Sequence, residues 1–114
     1  MLIHFDEIKE TVIPKFRGGE KETISRMYVD SLTKIMKGKL TPGASIGLHT
    51  HSTNSEIIYI LEGSGKAFYD GSYEELSAGS CHYCPKGHEH SLINDSDQEL
   101  IFFAVVPEHG AGEK

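Results

Sequence analysis

Residues 43–63 read GASIGLHTHSTNSEIIYILEG, and residues 79–94 read GSCHYCPKGHEHSLIN. Both stretches alternate short runs of β-prone residues with the glycine, proline and asparagine signals of turns. The same pattern continues around them, because further short β-prone segments are predicted at 23–29, 33–40, 66–69, 73–76 and 99–106. About nine or ten short strands joined by turns indicate an antiparallel sandwich or barrel.

Five of the seven histidines lie in these two stretches, namely His49, His51, His82, His88 and His90. His49 and His51 end a predicted strand, where alternate residues face the same side, so their imidazoles converge. Glu56 follows after four residues, a turn short enough to start the neighbouring strand beside the pair. Imidazole and carboxylate together suit a divalent transition metal, although two solvated or hydrogen-bonded histidines would give the same pattern.

The glycines that flank the histidines favour the interpretation as a metal site over that of two solvated histidines. With its glycines, each stretch resembles one of the two signature motifs of the cupin superfamily, G-x5-H-x-H-x3-4-E-x6-G and G-x5-P-x-G-x2-H-x3-N, at every specified position. The fifteen residues between Gly63 and Gly79 also resemble the short spacing of compact microbial cupins. This resemblance implies a small all-β protein with an antiparallel double-stranded β-helix, or jelly-roll barrel.

The resemblance also implies a cofactor and the residues that hold it. In a cupin, His49, His51, Glu56 and His90 would bind one divalent transition metal ion per chain, either iron, manganese, zinc, nickel or cobalt. The ligand types alone do not choose among these ions. A closed structural metal site is disfavoured, since such sites are usually tetrahedral and often rich in thiolates.

The chain of 114 residues has the size of one domain. We expect an N-terminal extension at 1–22, with at most one helical turn around Asp6 to Glu10 before extended chain. The barrel is predicted at 23–107, and a flexible tail at 108–114. Because the segment from Val12 to Val29 is β-prone, it is expected to add to a partner's sheet in a homodimer.

Charge and hydropathy exclude two classes of partner. The formal net charge is −6 and no basic run exists, which argues against nucleic acid. The longest apolar run, Leu100 to Val106, has seven residues, whereas a membrane helix needs about twenty. The first residues lack the charge and apolar core of a secretory leader, so a cytoplasmic location is expected.

The two cysteines, Cys81 and Cys84, have the spacing of a redox pair or of half a zinc site. They fall within a predicted strand, however, and residues three apart on a strand point to opposite faces. We therefore expect inert, partly buried thiols.

The leading functional hypothesis is a metal-dependent enzyme acting on a small carboxylate- or carbonyl-bearing metabolite, such as a dioxygenase, decarboxylase or isomerase. The alternative is a module that binds a metabolite or metal without turnover. A catalyst needs a proton-transfer group beside the metal, and the weak candidates are Tyr59, Tyr69, His82, Tyr83 and His88. For His82 and His88 a hydrogen-bonded structural role is the competing interpretation. The apolar walls of the site are predicted to include Met36, Leu48, Ile58, Ile60, Leu92 and Phe102.

Overall fold

The structure is a computed structural model that describes residues 1–110, and these residues form antiparallel β-strands with two short 3-10 helices, Phe5–Glu7 and Phe16–Gly18. The strands, in chain order, are β1 (Thr11–Pro14), β2 (Glu22–Val29), β3 (Thr33–Leu40), β4 (Ser45–Thr50), β5 (Glu56–Glu62), β6 (Ser64–Tyr69), β7 (Ser72–Ser77), β8 (Cys81–Cys84), β9 (Glu89–Ile93) and β10 (Leu100–Pro107).

The strands form two sheets that enclose one core. One sheet has six strands in the order β1-β2-β3-β10-β5-β8, and the other has four in the order β4-β9-β6-β7. Strand β10 shows the alternation that such packing requires, because Leu100, Phe102 and Ala104 are buried and the residues between them are not. The predicted all-β jelly-roll barrel is confirmed.

The predicted turns carry the backbone conformation that glycine permits. Gly43, Gly63, Gly79 and Gly87 all have positive φ. Gly63 is the most constrained of them, since a Cβ there would lie 2.4 Å from the carbonyl oxygen of Glu99. The turn between β5 and β6 therefore packs directly against the backbone at the start of β10.

The N-terminal segment pairs within its own chain. The first helical turn covers Phe5–Glu7, slightly earlier than predicted, and β1 then pairs with β2 at the edge of the larger sheet. Pro14 is tolerated there because an edge strand has a free N–H side. The segment from Val12 to Val29 thus supplies strands to its own barrel, and the homodimer stays a prediction.

The described part of the predicted C-terminal tail is attached to the barrel. The Glu108 amide donates to the Leu32 carbonyl at 2.7 Å, and the His109 amide donates to the Thr53 carbonyl at 2.9 Å. The remainder of the predicted tail, 111–114, lies outside the described residues. Among residues 1–110, neither helix has the length and apolar character needed to cross a bilayer.

Candidate metal centre

The two sheets bring the four predicted ligands together inside the barrel. His49 and His90 are direct cross-strand partners on β4 and β9, His51 follows β4, and Glu56 begins β5 in the other sheet. Each offers one ligand atom, and the four atoms lie within 4.8 Å of one another. This cluster can hold a metal ion.

A β-bulge in β4 sets which side chains of that strand face inward. The register between β4 and β9 shifts between Ile46 and His49, so that both residues face the interior despite their odd spacing. Leu48 points outward with 50% of its surface exposed. The prediction that Leu48 forms a wall of the site is therefore wrong.

The three imidazoles surround a common point almost symmetrically. Their ring centroids are 4.8–4.9 Å apart, and their planes are inclined at 64–67° to one another. Glu56 Oε1 lies 3.1 Å from Nε2 of His51, 3.0 Å from Nε2 of His90 and 3.9 Å from Nε2 of His49. Three nitrogens and one carboxylate oxygen thus converge as a first coordination shell would.

Outer hydrogen bonds place a proton on the δ-nitrogen of two of the imidazoles. His49 Nδ1 donates to the Gly47 carbonyl at 2.6 Å. His51 Nδ1 lies 2.5 Å from Asn54 Oδ1, and the amide of Asn54 is oriented by donating to Glu108 at 2.6 Å. Because these partners only accept, Nδ1 carries a proton in both rings, and in the neutral imidazole the Nε2 lone pair faces the common point. The donor set fits a divalent transition metal.

The protonation states favour metal binding at Glu56 and His90 but oppose it at His51. Burial raises the pKa of Glu56, but its contacts with His49, His51 and His90 outweigh burial and hold this pKa well below its usual range. Burial lowers the pKa of His90, against the opposing contact with Glu56. An ionised carboxylate and a neutral imidazole are the ligand forms that a metal requires. Burial lowers the pKa of His51, but its hydrogen bonds with Glu56 and Asn54 outweigh burial and raise this pKa overall, so a metal ion would have to displace a proton there.

The cluster lies in a small cavity with a positively charged lining. The cavity offers about 50 Å³ to the centres of water molecules, against roughly 10–15 Å³ for one water. Met36, Ile58 and Leu92 line it as predicted, whereas Ile60 and Phe102 are fully buried in the core and do not reach it. Arg17 and Lys34 also line the cavity, and neither was identified from the sequence.

Arg17 reaches the cavity because its loop packs directly against the backbone of β4. A Cβ on Gly47 would lie 2.0 Å from the Arg17 carbonyl oxygen, and one on Gly19 would lie 2.0 Å from the Ser45 carbonyl oxygen. Lys15 and Arg17 themselves adopt left-handed conformations, with φ of 50° and 56°. Such strained residues persist where packing over-determines them, as it does at this contact.

Replacing Gly47 by alanine is expected to displace the loop at 15–19. The added methyl group cannot fit against the Arg17 carbonyl, so the loop must move away from β4. Trypsin should then cleave after Lys15 or Arg17 several-fold faster than in the wild type, as measured by gel or mass spectrometry. Gly110→Ala is the control, because a Cβ there meets nothing within 4 Å. Equal cleavage of all three proteins would contradict this account of the loop.

None of the five proton-transfer candidates lines the cavity. Tyr59 and Tyr83 are exposed on the outside of the larger sheet. Tyr69 and His88 contact each other and Asp70, with the Tyr69 hydroxyl 3.2 Å from His88 Nδ1. His82 is buried behind His90.

The two thiols behave as the strand geometry predicts. Cys81 is exposed and Cys84 is buried, so they lie on opposite faces of β8 and remain free. Burial raises the pKa of the Cys84 thiol to about 12, which keeps it protonated and unreactive at neutral pH. Cys81 is more exposed than expected.

The fold and site define a β-barrel protein with a cluster of three histidines and one glutamate that can hold a metal. Residues 36–106 match the family model described as Cupin domain. This chain belongs to the cupin family.

The chain is similar over most of its length to proteins of Thermotoga maritima. A protein described as oxalate-binding is 32% identical over 112 residues, which cover 93% of each chain. The crystal structure of a predicted oxalate decarboxylase superposes with a TM-score of 0.88 at 31% identity, covering 95% of this chain and 99% of that one. The polyketide cyclase RemF of Streptomyces resistomycificus is more distant, with a TM-score of 0.77 at 25% identity, covering 94% of this chain and 78% of that one.

Proposed function

We propose that this cupin binds one divalent transition metal ion through His49, His51, Glu56 and His90 and uses it to capture a small carboxylate of the oxalate class. The observation that carries the proposal is the convergence of these four donors at a cavity lined by two cations. The ion would be iron, manganese, zinc, nickel or cobalt, since all accept mixed nitrogen and oxygen ligands.

Coordination chemistry favours a chelating anion. Three neutral imidazoles and one carboxylate leave a divalent ion with a net charge near +1, and an octahedral ion would have two open positions. A dicarboxylate as short as oxalate could supply one oxygen from each carboxylate to such an ion. The small volume of the cavity favours a ligand of few heavy atoms.

Arg17 and Lys34 would bind the part of the anion that does not contact the metal. Among residues 1–110, neither guanidinium nor ammonium has an acidic side chain within salt-bridge distance, although the chain as a whole is acidic. Two cations without acidic partners beside the metal cluster attract an anion and can hold its outer oxygens by charge-assisted hydrogen bonds. The relative described as oxalate-binding supports the same ligand class.

Calorimetry on metal-loaded protein tests the proposal. Oxalate should bind manganese-loaded protein with one molecule per chain and should not bind the metal-free protein. Arg17→Ala and Lys34→Ala should each weaken binding about 10-fold, which is about 1.4 kcal/mol. Lys37→Ala is the matched control because Lys37 lies on the same strand as Lys34 but is exposed outside the cavity. If oxalate bound equally well without metal, or if Lys37→Ala weakened it as much as Lys34→Ala, the proposal would be wrong.

A metal-dependent enzyme is the second candidate, and the resemblance to a predicted oxalate decarboxylase favours it. Decarboxylation of oxalate to formate and carbon dioxide consumes one proton, so it needs a donor near the metal. Within residues 1–110, the titratable groups lining the cavity besides the four clustered side chains are Arg17 and Lys34. Binding without turnover therefore fits the geometry better, and formation of formate from labelled oxalate above the metal-free background would reverse that preference.

A further inference from the structure

His82 connects the metal cluster to a carboxylate on the other side of the barrel wall. It is 2% exposed and does not line the cavity. Its Nε2 lies 2.9 Å from His90 Nδ1, and its Nδ1 lies 2.8 Å from Glu74 Oε1. Both ring nitrogens are therefore engaged, one by the cluster and one by a half-exposed glutamate.

The two imidazoles meet through their nitrogens. Their planes differ by only 19°, and their centroids are 5.1 Å apart while the facing nitrogens are 2.9 Å apart. Rings stacked face to face would not bring one nitrogen of each so close at that centroid separation. The contact is thus a nearly in-plane hydrogen bond, which fixes the orientation of the His90 ring.

Glu74 decides the direction of this hydrogen bond. An ionised carboxylate only accepts, so the proton of neutral His82 lies on Nδ1 and its Nε2 is left as an acceptor. His90 must then carry its proton on Nδ1 to donate to His82. Its Nε2 is left with a free lone pair directed at the proposed metal.

Glu56 offers the His90 proton a second acceptor, at the opposite nitrogen, in the metal-free protein. Its Oε1 lies 3.0 Å from His90 Nε2 and would accept a proton from that atom. Two acceptors, His82 and Glu56, therefore compete for the single proton of neutral His90. Without His82, the proton would occupy the nitrogen that has to bind the metal.

We infer that Glu74 and His82 form a positioning relay that keeps His90 in the tautomer able to bind metal. The relay rests on the proposed metal site and adds two residues that touch neither metal nor ligand. Asn54 and Glu108 hold His51 in a comparable way, but an amide has no second tautomer. In both arms a carboxylate orients the outer partner, but in the His82 arm it does so by fixing a tautomer.

Zinc affinity, measured by competition with a chromophoric chelator, is the first test. His82→Phe should lower the affinity about 10- to 100-fold, the usual effect of losing an outer-sphere partner. His82→Gln, whose side-chain oxygen can still accept from His90, should recover most of the loss. Glu74→Ala should lower the affinity about 10-fold, and Glu74→Gln, which keeps an acceptor, should stay within about 3-fold of the wild type. Glu75→Ala and His88→Phe are controls outside the relay and should leave zinc affinity unchanged.

Nitrogen-15 spectra of the histidine side chains give a readout that a purely structural role would not move. In the metal-free wild type, His90 should show its proton on Nδ1, and in His82→Phe the proton should move to Nε2. Glu74→Ala provides the same test at a half-exposed position, where no buried side chain is truncated. Unchanged zinc affinity and an unchanged His90 tautomer in both variants would overturn the relay.

The hypothesis of the relay and the hypothesis of an oxalate-class ligand can be disproved separately. If wild-type protein binds zinc but the metal-loaded form does not bind oxalate, the proposed ligand is wrong while the affinity loss in Glu74→Ala still supports the relay. If oxalate binds and Glu74→Ala and His82→Phe both bind zinc as tightly as the wild type, the relay is wrong and the proposed function stands.

Discussion

Glu56→Gln is expected to lower metal affinity by at least about 100-fold, or about 2.7 kcal/mol. Glu56 is the single anionic member of the cluster, and its carboxylate oxygen lies close to all three imidazole nitrogens. Glutamine keeps the size of the side chain and removes the charge, so the divalent ion loses its strongest electrostatic partner. The loss should exceed the roughly 10- to 100-fold that an outer-sphere partner contributes.

Metal content after dialysis and chelator competition measure this effect directly. A thermal scan gives a second readout, because an ion that binds only the folded chain raises the melting temperature by an amount that grows with the logarithm of its affinity. Zinc should therefore stabilise the wild type strongly and Glu56→Gln hardly at all. Glu62→Gln, at the exposed far end of the same strand, should respond to zinc like the wild type. Full metal occupancy in Glu56→Gln would refute the proposed ligand set.

The four clustered residues were identifiable from the sequence because each belongs to a local pattern. Two histidines separated by one residue share a face of any strand, and a short turn suffices to bring Glu56 beside them. His90 lies on a separate strand, and only the resemblance to the cupin motifs linked it to the others. The structure then places it opposite His49, where the register of β4 and β9 pairs them directly.

The inward-facing residues of β4 were not predictable by alternation alone. Simple parity along the strand cannot place Ile46 and His49 on the same side, and the bulge between them resolves the conflict. A bulge depends on how two strands pair, so the sequence of one strand does not reveal it. Leu48 is a different case, because alternation from the inward His49 already places it on the outer face, and its assignment to the wall of the site was inconsistent with the histidine pair.

The charged lining of the cavity depends on contacts distant in sequence. Arg17 precedes the first motif by more than twenty residues and reaches the cavity only because its loop packs on Gly47. Glu74 and His82 are only 8 residues apart in the sequence, but they belong to different sheets. Neither position has a sequence signal of its own, and both require the closed barrel.

Asn94→Ala is expected to destabilise the fold by about 3–5 kcal/mol, a large part of the 5–15 kcal/mol typical of a small domain. Asn94 is fully buried, and its amide nitrogen donates to the carbonyls of Leu40, Thr41 and Gln98 at 3.0, 3.2 and 2.8 Å. Its side-chain oxygen accepts from the amide and hydroxyl of Ser96. Alanine removes these five hydrogen bonds of a fully buried side chain at once, and each contributes about 0.5–1.5 kcal/mol.

The same side chain joins the end of β3 to the turn between β9 and β10, so its loss also frees the strand that carries His90. Asn94→Asp separates the hydrogen bonds from simple loss of volume, because a carboxylate oxygen would then face the three carbonyl oxygens that now accept from the amide. We expect Asn94→Asp to lower the melting temperature at least as much as Asn94→Ala, by more than about 10 °C. Asp95→Ala, which removes only a half-exposed contact 3.8 Å from Lys66, should cost less than about 1 kcal/mol. A wild-type melting temperature for Asn94→Asp would show that the amide donors do not hold the turn, and the position of His90 would then need another support.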